Sequence, residues 1–180
     1  KVASVNQPQL DVDPAFRLLR AASNVMMGRV REAKIDLDAS ALADDPAAAL
    51  WRGYAAFKQR DWATARKELE RGKTALGGQP PGWRPRFELA LAESLLSLRD
   101  LDAAAAAAAR AVASNPAPEV SGDARIVQAK IAEARGDARA ALASLKELTI
   151  APQEIVAVRA AFEAARVERT LGATEEATIE

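Results

Sequence analysis

One six-residue pattern recurs five times along the chain, opening on glycine or arginine and closing on alanine. The copies are GRVREA at 28–33, RDWATA at 60–65, RDLDAA at 99–104, GDARAA at 136–141 and GATEEA at 172–177. Their closing alanines are Ala33, Ala65, Ala104, Ala141 and Ala177, which are 32, 39, 37 and 36 residues apart. A period of 20–50 residues is typical of arrays in which one structural unit is stacked repeatedly. The sequence therefore predicts a repeat protein.

A second small residue lies twelve positions before each closing alanine, at Ala21, Gly53, Ala92, Ala129 and Ala165. Two small residues at a fixed separation predict a hairpin of two helices, because side chains without bulk let two backbones approach closely. The six-residue pattern would then be the corner of the hairpin.

The corner residues support this interpretation. Gly28, Gly136 and Gly172 suit the left-handed residue that ends a helix, and the aspartates at 61, 100 and 137 can cap the next helix. Arg60 and Arg99 fit the glycine position less well, because a side chain there costs about 1 kcal/mol. A different turn is therefore an alternative at those two corners.

Composition favours helices over strands. Hydrophobic residues make up 49% of the chain and aromatics only 4%, and much of the hydrophobic content is alanine, the best helix former. The pattern predicts helices at 14–27, 29–43, 46–59, 62–76, 85–98, 101–114, 122–135, 137–149 and 152–171, and a further start at 174. Pro14, Pro46, Pro85 and Pro152 are expected in first turns, where proline is tolerated.

These helices predict an irregular segment at 1–13 and one repeat domain at 14–180. The repeats would be 14–45, 46–78, 85–117, 122–151 and a partial fifth at 152–180. Because the chain begins at a lysine and ends just after the fifth pattern, we interpret it as a piece of a longer protein.

The repeat resembles the tetratricopeptide repeat (TPR) family over about 14–180. The residues that carry the resemblance are KQRDWATA at 58–65, near the family's corner, and AVASNP at 111–116, near its repeat ending. The family's early tryptophan is absent. The resemblance implies an all-α, right-handed solenoid of four hairpins and part of a fifth. It also implies a non-catalytic scaffold that binds an extended peptide or a helix of a protein partner on its concave surface.

Under the family alignment, the first helices would line that concave groove. The expected partner-binding residues are Leu50, Tyr54, Lys58, Arg86, Glu93, Lys130, Phe162 and Arg166. The positions at which some relatives clamp a C-terminal carboxylate hold mostly uncharged residues here, with Arg86 the exception, so no such clamp is expected.

The sequence argues against several other functions. The 25 basic residues cancel the 25 acidic ones, which disfavours nucleic-acid binding, and no stretch has the roughly 20 apolar residues of a membrane span. Cysteine and histidine are absent, which excludes thiolate and imidazole chemistry and the usual zinc sites. We expect carboxylates such as Asp36 and Asp38 to be solvated, and we predict no enzyme activity, cofactor or metal.

Two alternatives remain open. In the first, the chain is a structural or self-assembly segment that forms a homodimer or joins the rest of its parent protein. In the second, the solenoid contains an enzyme or a small-ligand site. The lack of cysteine leaves the compartment undecided between a bacterial-type cytoplasm and a periplasm.

Overall fold

The computed structural model describes residues 12–114 and 116–179, with side chains described up to 172. Within these residues the fold is all-α, as predicted. The helices are α1 (Pro14–Met26), α2 (Val30–Leu37), α3 (Pro46–Lys58), α4 (Trp62–Arg71), α5 (Arg84–Ser97), α6 (Leu101–Ala113), α7 (Pro118–Ala134), α8 (Ala138–Leu148) and α9 (Glu154–Ile179). Short 3-10 helices follow α2 at Ser40–Leu42 and α4 at Gly72–Gly78. The chain divides into two compact units, one up to Pro80 and the other from Pro81.

Four hairpin corners have the same backbone geometry. The corner residues Gly28, Arg60, Arg99 and Gly136 all have positive φ, of 76°, 61°, 65° and 93°. In each corner, the following N–H donates to a carbonyl five residues back, as Asp61 N does to Ala56 O at 3.0 Å. This is the hydrogen bond of a Schellman ending. The two arginine corners therefore turn in the same way as the glycine corners, and a different turn there is excluded.

Aspartate caps explain why three of these corners start a new helix. The Asp61 carboxylate accepts from Thr64 N at 3.2 Å, Asp100 from Ala103 N at 3.4 Å, and Asp137 from Ala140 N at 3.0 Å. Each cap satisfies an N–H that would otherwise lack a partner at the helix start. These caps and the hydrogen bonds of the turn offset the cost of a left-handed arginine at 60 and 99.

The small residues of the first four hairpins are all buried. They are Ala21 and Ala33, Gly53 and Ala65, Ala92 and Ala104, and Ala129 and Ala141. A Cβ on Gly53 would lie 2.7 Å from the backbone nitrogen of Leu69, so α3 and α4 do approach almost backbone to backbone. The point of contact lies one turn beyond Ala65.

The fifth hairpin does not form within the described residues, and its predicted corner is wrong. The last helix, α9, runs through Gly172 without a turn. An isolated glycine costs a helix only about 1 kcal/mol, and no aspartate follows Gly172 to cap a new helix. The pairing predicted for Ala165 is also wrong, because Ala165 is exposed and α9 instead buries Val156, Ala160, Ala164 and Val167.

Two second helices are shorter than predicted. Helix α2 ends at Leu37 instead of continuing to 43, because the Arg52 guanidinium donates to the carbonyls of Leu37 at 3.0 Å and Leu42 at 3.1 Å. These bonds satisfy carbonyls at the helix end that a longer helix would have used itself. Helix α4 ends at Arg71, and the tighter 3-10 segment that follows places Gly72 against Leu50.

Prolines mark helix starts, with one exception. Pro14, Pro46 and Pro85 lie in first turns as predicted, and Pro118 starts α7 four residues earlier than expected. Pro152 lies outside a helix, since α9 begins at Glu154.

Each of the four hairpins also has an ion pair between its two helices. The pairs are Arg20–Asp36, Arg52–Glu68, Arg110–Glu88 and Arg125–Glu147. The first helix supplies the arginine in three of them, whereas the α5–α6 hairpin reverses this order. Asp36, expected to be solvated, is buried, and two hydrogen bonds from Arg20 hold its pKa below the usual value despite its burial.

Candidate protein-interaction surface

The predicted groove residues of the first unit lie on α3, but they are not equally accessible. Leu50 is fully buried, with its side chain against Gly72. A residue that closes the core cannot contact a partner, so Leu50 as a surface anchor is wrong. The register of α3 turns this leucine inward, toward the 3-10 segment that follows α4.

Tyr54 belongs to an aromatic cluster on α3 that Lys58 covers from the solvent side. The Tyr54 ring is largely buried, 6.4 Å from the Trp51 ring in an edge-on arrangement and 5.7 Å from the Phe57 ring. Lys58 is exposed, with Nζ 5.6 Å from the centre of the Tyr54 ring. Tyr54 thus packs mainly as a core residue, and Lys58 covers its remaining face.

In the second unit, the predicted residues Arg86 and Glu93 lie on α5. Arg86 is exposed, and its guanidinium lies 5.6 Å from the centre of the Trp83 ring. Glu93 is half-buried.

Lys130 and Arg166 are brought together by a glutamate that the sequence did not single out. Lys130 Nζ lies 3.2 Å from Glu163, and Arg166 Nε lies 2.9 Å from the same carboxylate. Arg166 also donates to Glu133 at 2.8 Å. The two predicted residues are therefore part of an ionic network that joins α9 to α7.

The protonation of this network is set by its own contacts. Partial burial alone would raise the pKa of Glu163, but hydrogen bonds and charge from Arg166 and Lys130 outweigh it and hold the pKa below the usual value. Hydrogen bonds to Glu133 and Glu163 raise the pKa of Arg166. Glu163 and Arg166 therefore stay charged at neutral pH, and their ion pairs hold α9 against α7.

Phe162 lies in a stripe of exposed apolar residues on α9. Ile155, Val158 and Phe162 are 51%, 59% and 70% exposed, and the exposed Ala165 continues the same line. Their spacings of three and four residues place them on one face of the helix. Large exposed apolar groups in a contiguous row mark an interaction surface more often than isolated ones do. We refer to Ile155, Val158, Phe162 and Ala165 as the α9 stripe.

The sequence contained the signal for this stripe, although only Phe162 was identified from it. The spacing of the stripe is visible in EIVAVRAAFEAA, but the same helix also carries a second apolar row at Val156, Ala160, Ala164 and Val167. Both rows fit a helix face. Only the packing of α9 against α8 and α7 shows that the second row is the buried one.

The first unit contains a cleft of about 180 Å³ between α2, α3 and the start of α4. Apolar walls from Val30, Leu37 and Ala55 surround charged groups that include Arg52 and Glu68. Arg52 bonds Glu68 at 2.8 Å and the carbonyls that end α2. Its donors are thus used to hold the fold, and we assign these charged groups a structural role.

Comparisons of the chain with protein-family models, curated proteins and solved structures find no match. Over the described ranges, acidic side chains do not gather into a group that would hold a metal ion. None of the helices in the same ranges combines the length and apolar character that crossing a membrane requires.

Proposed function

We propose that this chain is a non-catalytic protein-interaction module of the tetratricopeptide type, and that it binds a helix of its partner on the α9 stripe. The observation that carries this proposal is the row of exposed apolar side chains centred on Phe162. A helix that lays its apolar face on such a row is a common mode of recognition.

The hairpin geometry supports the family resemblance. Four corners share one left-handed turn, and the small residues at both crossing positions of each hairpin are buried. Each unit contains two such hairpins in succession. A right-handed solenoid within each unit is part of this proposal.

The apolar surface of the stripe supplies part of the free energy that a moderate interaction needs. Its three large side chains are 51%, 59% and 70% exposed, so burying these fractions gives about 3–5 kcal/mol before costs, taking about 1.5–3 kcal/mol for each complete side chain. Association costs about 4–15 kcal/mol, so the stripe needs a matching polar rim to bind in the micromolar range. Phe162, which is the largest member and is more exposed than Ile155 and Val158, is the expected hot spot.

The groove predicted from the family alignment remains a prediction for Tyr54, Lys58, Arg86 and Glu93. In the second unit, Lys130 on α7 and Arg166 on α9 are held by the network around Glu163. Their role in this proposal is to fix α9 in place, so that the stripe is presented on a rigid support.

The proposal is tested by a photoreactive phenylalanine analogue placed at Phe162 in the source cell. The matched control carries the same analogue at Ser144, which is exposed on α8 and is not part of the stripe. We expect a specific protein adduct at position 162 and none at 144. Absence of an adduct at 162 above the control level would overturn the proposal.

A further inference from the structure

The α9 stripe follows the seven-residue pattern of a helix that pairs with another helix. Ile155 and Phe162 are seven residues apart, and Val158 and Ala165 are also seven apart. Apolar residues that alternate at three and four residues form the seam of a coiled coil. The stripe covers two such heptads, and Arg169 at the next seam position ends the apolar seam.

The charged residues on the two sides of the α9 stripe, which we call its borders, have opposite signs. Glu154 and Glu168 lie along one border with the uncharged Ala161 between them, whereas Arg159 and Arg166 lie along the other. In coiled coils these border positions determine which partner is accepted and in which direction it runs. The opposite charges of the two borders therefore restrict which helix can pair with the stripe and in which direction it runs.

The border charges of two α9 helices are complementary in only one of the two possible directions of pairing. In a parallel pair, the acidic border of each copy faces the basic border of the other, so Glu154 of each copy lies opposite Arg159 of the other. In an antiparallel pair, glutamates face glutamates and arginines face arginines. We propose that the partner helix is α9 of a second copy, and that the two helices pair in parallel.

The packing of α9 leaves room for this pairing. Its buried residues Val156, Ala160, Ala164 and Val167 lie on the side of the helix opposite the stripe. In a parallel pair related by a two-fold axis, the rest of each second unit therefore extends away from the seam. Three border residues also form ion pairs within their own chain, Arg159 with Asp123, Arg166 with Glu133 and Glu168 with Lys146, and their side chains remain 55%, 40% and 48% exposed.

This inference rests on the proposed function, because it names the partner of the same surface. Sedimentation equilibrium of the full chain at increasing concentration should show a monomer–dimer equilibrium. Phe162→Glu should reduce the association constant at least tenfold, and the matched surface variant Ser144→Glu should leave it unchanged. An association constant that Phe162→Glu does not change would overturn the inference, because it would place the dimer contact elsewhere.

The border charges are tested with two substitutions of opposite effect. Glu154→Arg places like charges opposite Arg159 and should reduce the association constant. Ala161→Glu adds a carboxylate opposite Arg166 of the other copy, and because a two-fold dimer gains two such pairs, the constant should rise about two- to twentyfold, the range of two solvent-exposed ion pairs. Glu154, Ala161 and Phe162 are exposed, so circular dichroism should show unchanged helix content in all three variants.

The sign of the Ala161→Glu effect also reports the direction of pairing. In an antiparallel pair the acidic borders of the two copies face each other. The same substitution would then place a new carboxylate in each acidic border, and the association constant would fall. Weaker association of the Ala161→Glu chain would therefore overturn the parallel arrangement.

The direction is tested independently with single cysteines, since the chain has none. Ala165→Cys should form a disulfide-linked dimer under mild oxidation, because equivalent seam positions meet in a parallel pair. Formation of a mixed disulfide between Ile155→Cys and Ala165→Cys chains, without the Ala165→Cys homodimer, would overturn the parallel arrangement, because an antiparallel pair brings unlike seam positions together.

The outcomes separate the inference from the proposed function. A chain that stays monomeric at high concentration, while the photoreactive group at 162 links to a different protein, overturns the inference and leaves the proposed function standing. A monomeric chain with no adduct overturns both.

Discussion

Replacing Gly53 by alanine is expected to force α3 and α4 apart. A Cβ at this position would lie 2.7 Å from the Leu69 Cγ and 2.7 Å from the Leu69 backbone nitrogen. Leu69 is buried, and the backbone atom cannot rotate away as a flexible side chain would. The substitution therefore tests directly whether the two helices approach as closely as the small residues predict.

The expected loss of stability follows from two opposing effects. Overpacking costs about 1–3 kcal/mol, and the backbone contact favours the upper end of that range. Alanine regains up to about 1 kcal/mol of helix propensity relative to glycine. We therefore expect the free energy of unfolding of the first unit to fall by about 1–2 kcal/mol.

Gly172→Ala is the matched control. Gly172 also lies inside a helix, and among the described residues nothing lies within 4 Å of the place its Cβ would occupy. This variant should gain up to about 1 kcal/mol of stability, so the two identical substitutions should have effects of opposite sign.

Urea denaturation in a Trp83→Phe background separates the two units. The remaining tryptophans, Trp51 and Trp62, lie in the hairpin that Gly53→Ala changes, so their fluorescence follows the first unit, whereas circular dichroism follows both. A Gly53→Ala variant as stable as the chain with glycine would refute the reasoning, because it would show that α3 and α4 have space between them.

Three further substitutions have expected outcomes in the same denaturation assay. Arg99→Gly should stabilise the second unit by up to about 1 kcal/mol, because it removes a side chain from a left-handed residue, and a loss of stability would contradict the turn described here. Asp137→Ala should cost about 1 kcal/mol by removing the cap of α8, and an unchanged midpoint would show that the cap is not needed. Asp36→Asn should cost about 1–2 kcal/mol at neutral pH, a value reduced for the exposure of Arg20. Because the folded pKa of Asp36 is lowered, the contribution of this carboxylate is present above about pH 4 and is lost as the pH falls through the folded pKa. The difference between the unsubstituted chain and Asp36→Asn should therefore shrink in acid, and a difference that persists there would contradict the role assigned to the ion pair.

The corners were the most predictable part of the fold because their requirements are local. A left-handed residue followed by a capping aspartate needs only adjacent residues, and the repeated six-residue pattern marked such corners near 60, 99 and 136. It also explains the error at Gly172, where the glycine lacks the aspartate and the helix continues. The arginines at 60 and 99 were harder to interpret, since propensity alone argues against a left-handed arginine.

Features that depend on contacts between helices were less predictable. Asp36 resembled a solvated carboxylate because its partner Arg20 lies sixteen residues away in the sequence. Leu50 resembled a groove residue because Gly72, which packs against it, lies 22 residues further along the sequence. In α9, two apolar rows compete for the core, and packing alone distinguishes the buried row from the α9 stripe.

Thiol labelling in extracts of the source cell tests most directly whether a partner covers the α9 stripe in the native protein. Ala165→Cys places the only thiol of the chain on the stripe, and Ser144→Cys places it on an exposed position of α8. We expect labelling at 165 to be at least tenfold slower than at 144 in the native extract, and equally fast after denaturation. Equal labelling rates in the native extract would show that the stripe is uncovered and would contradict its role as a binding surface.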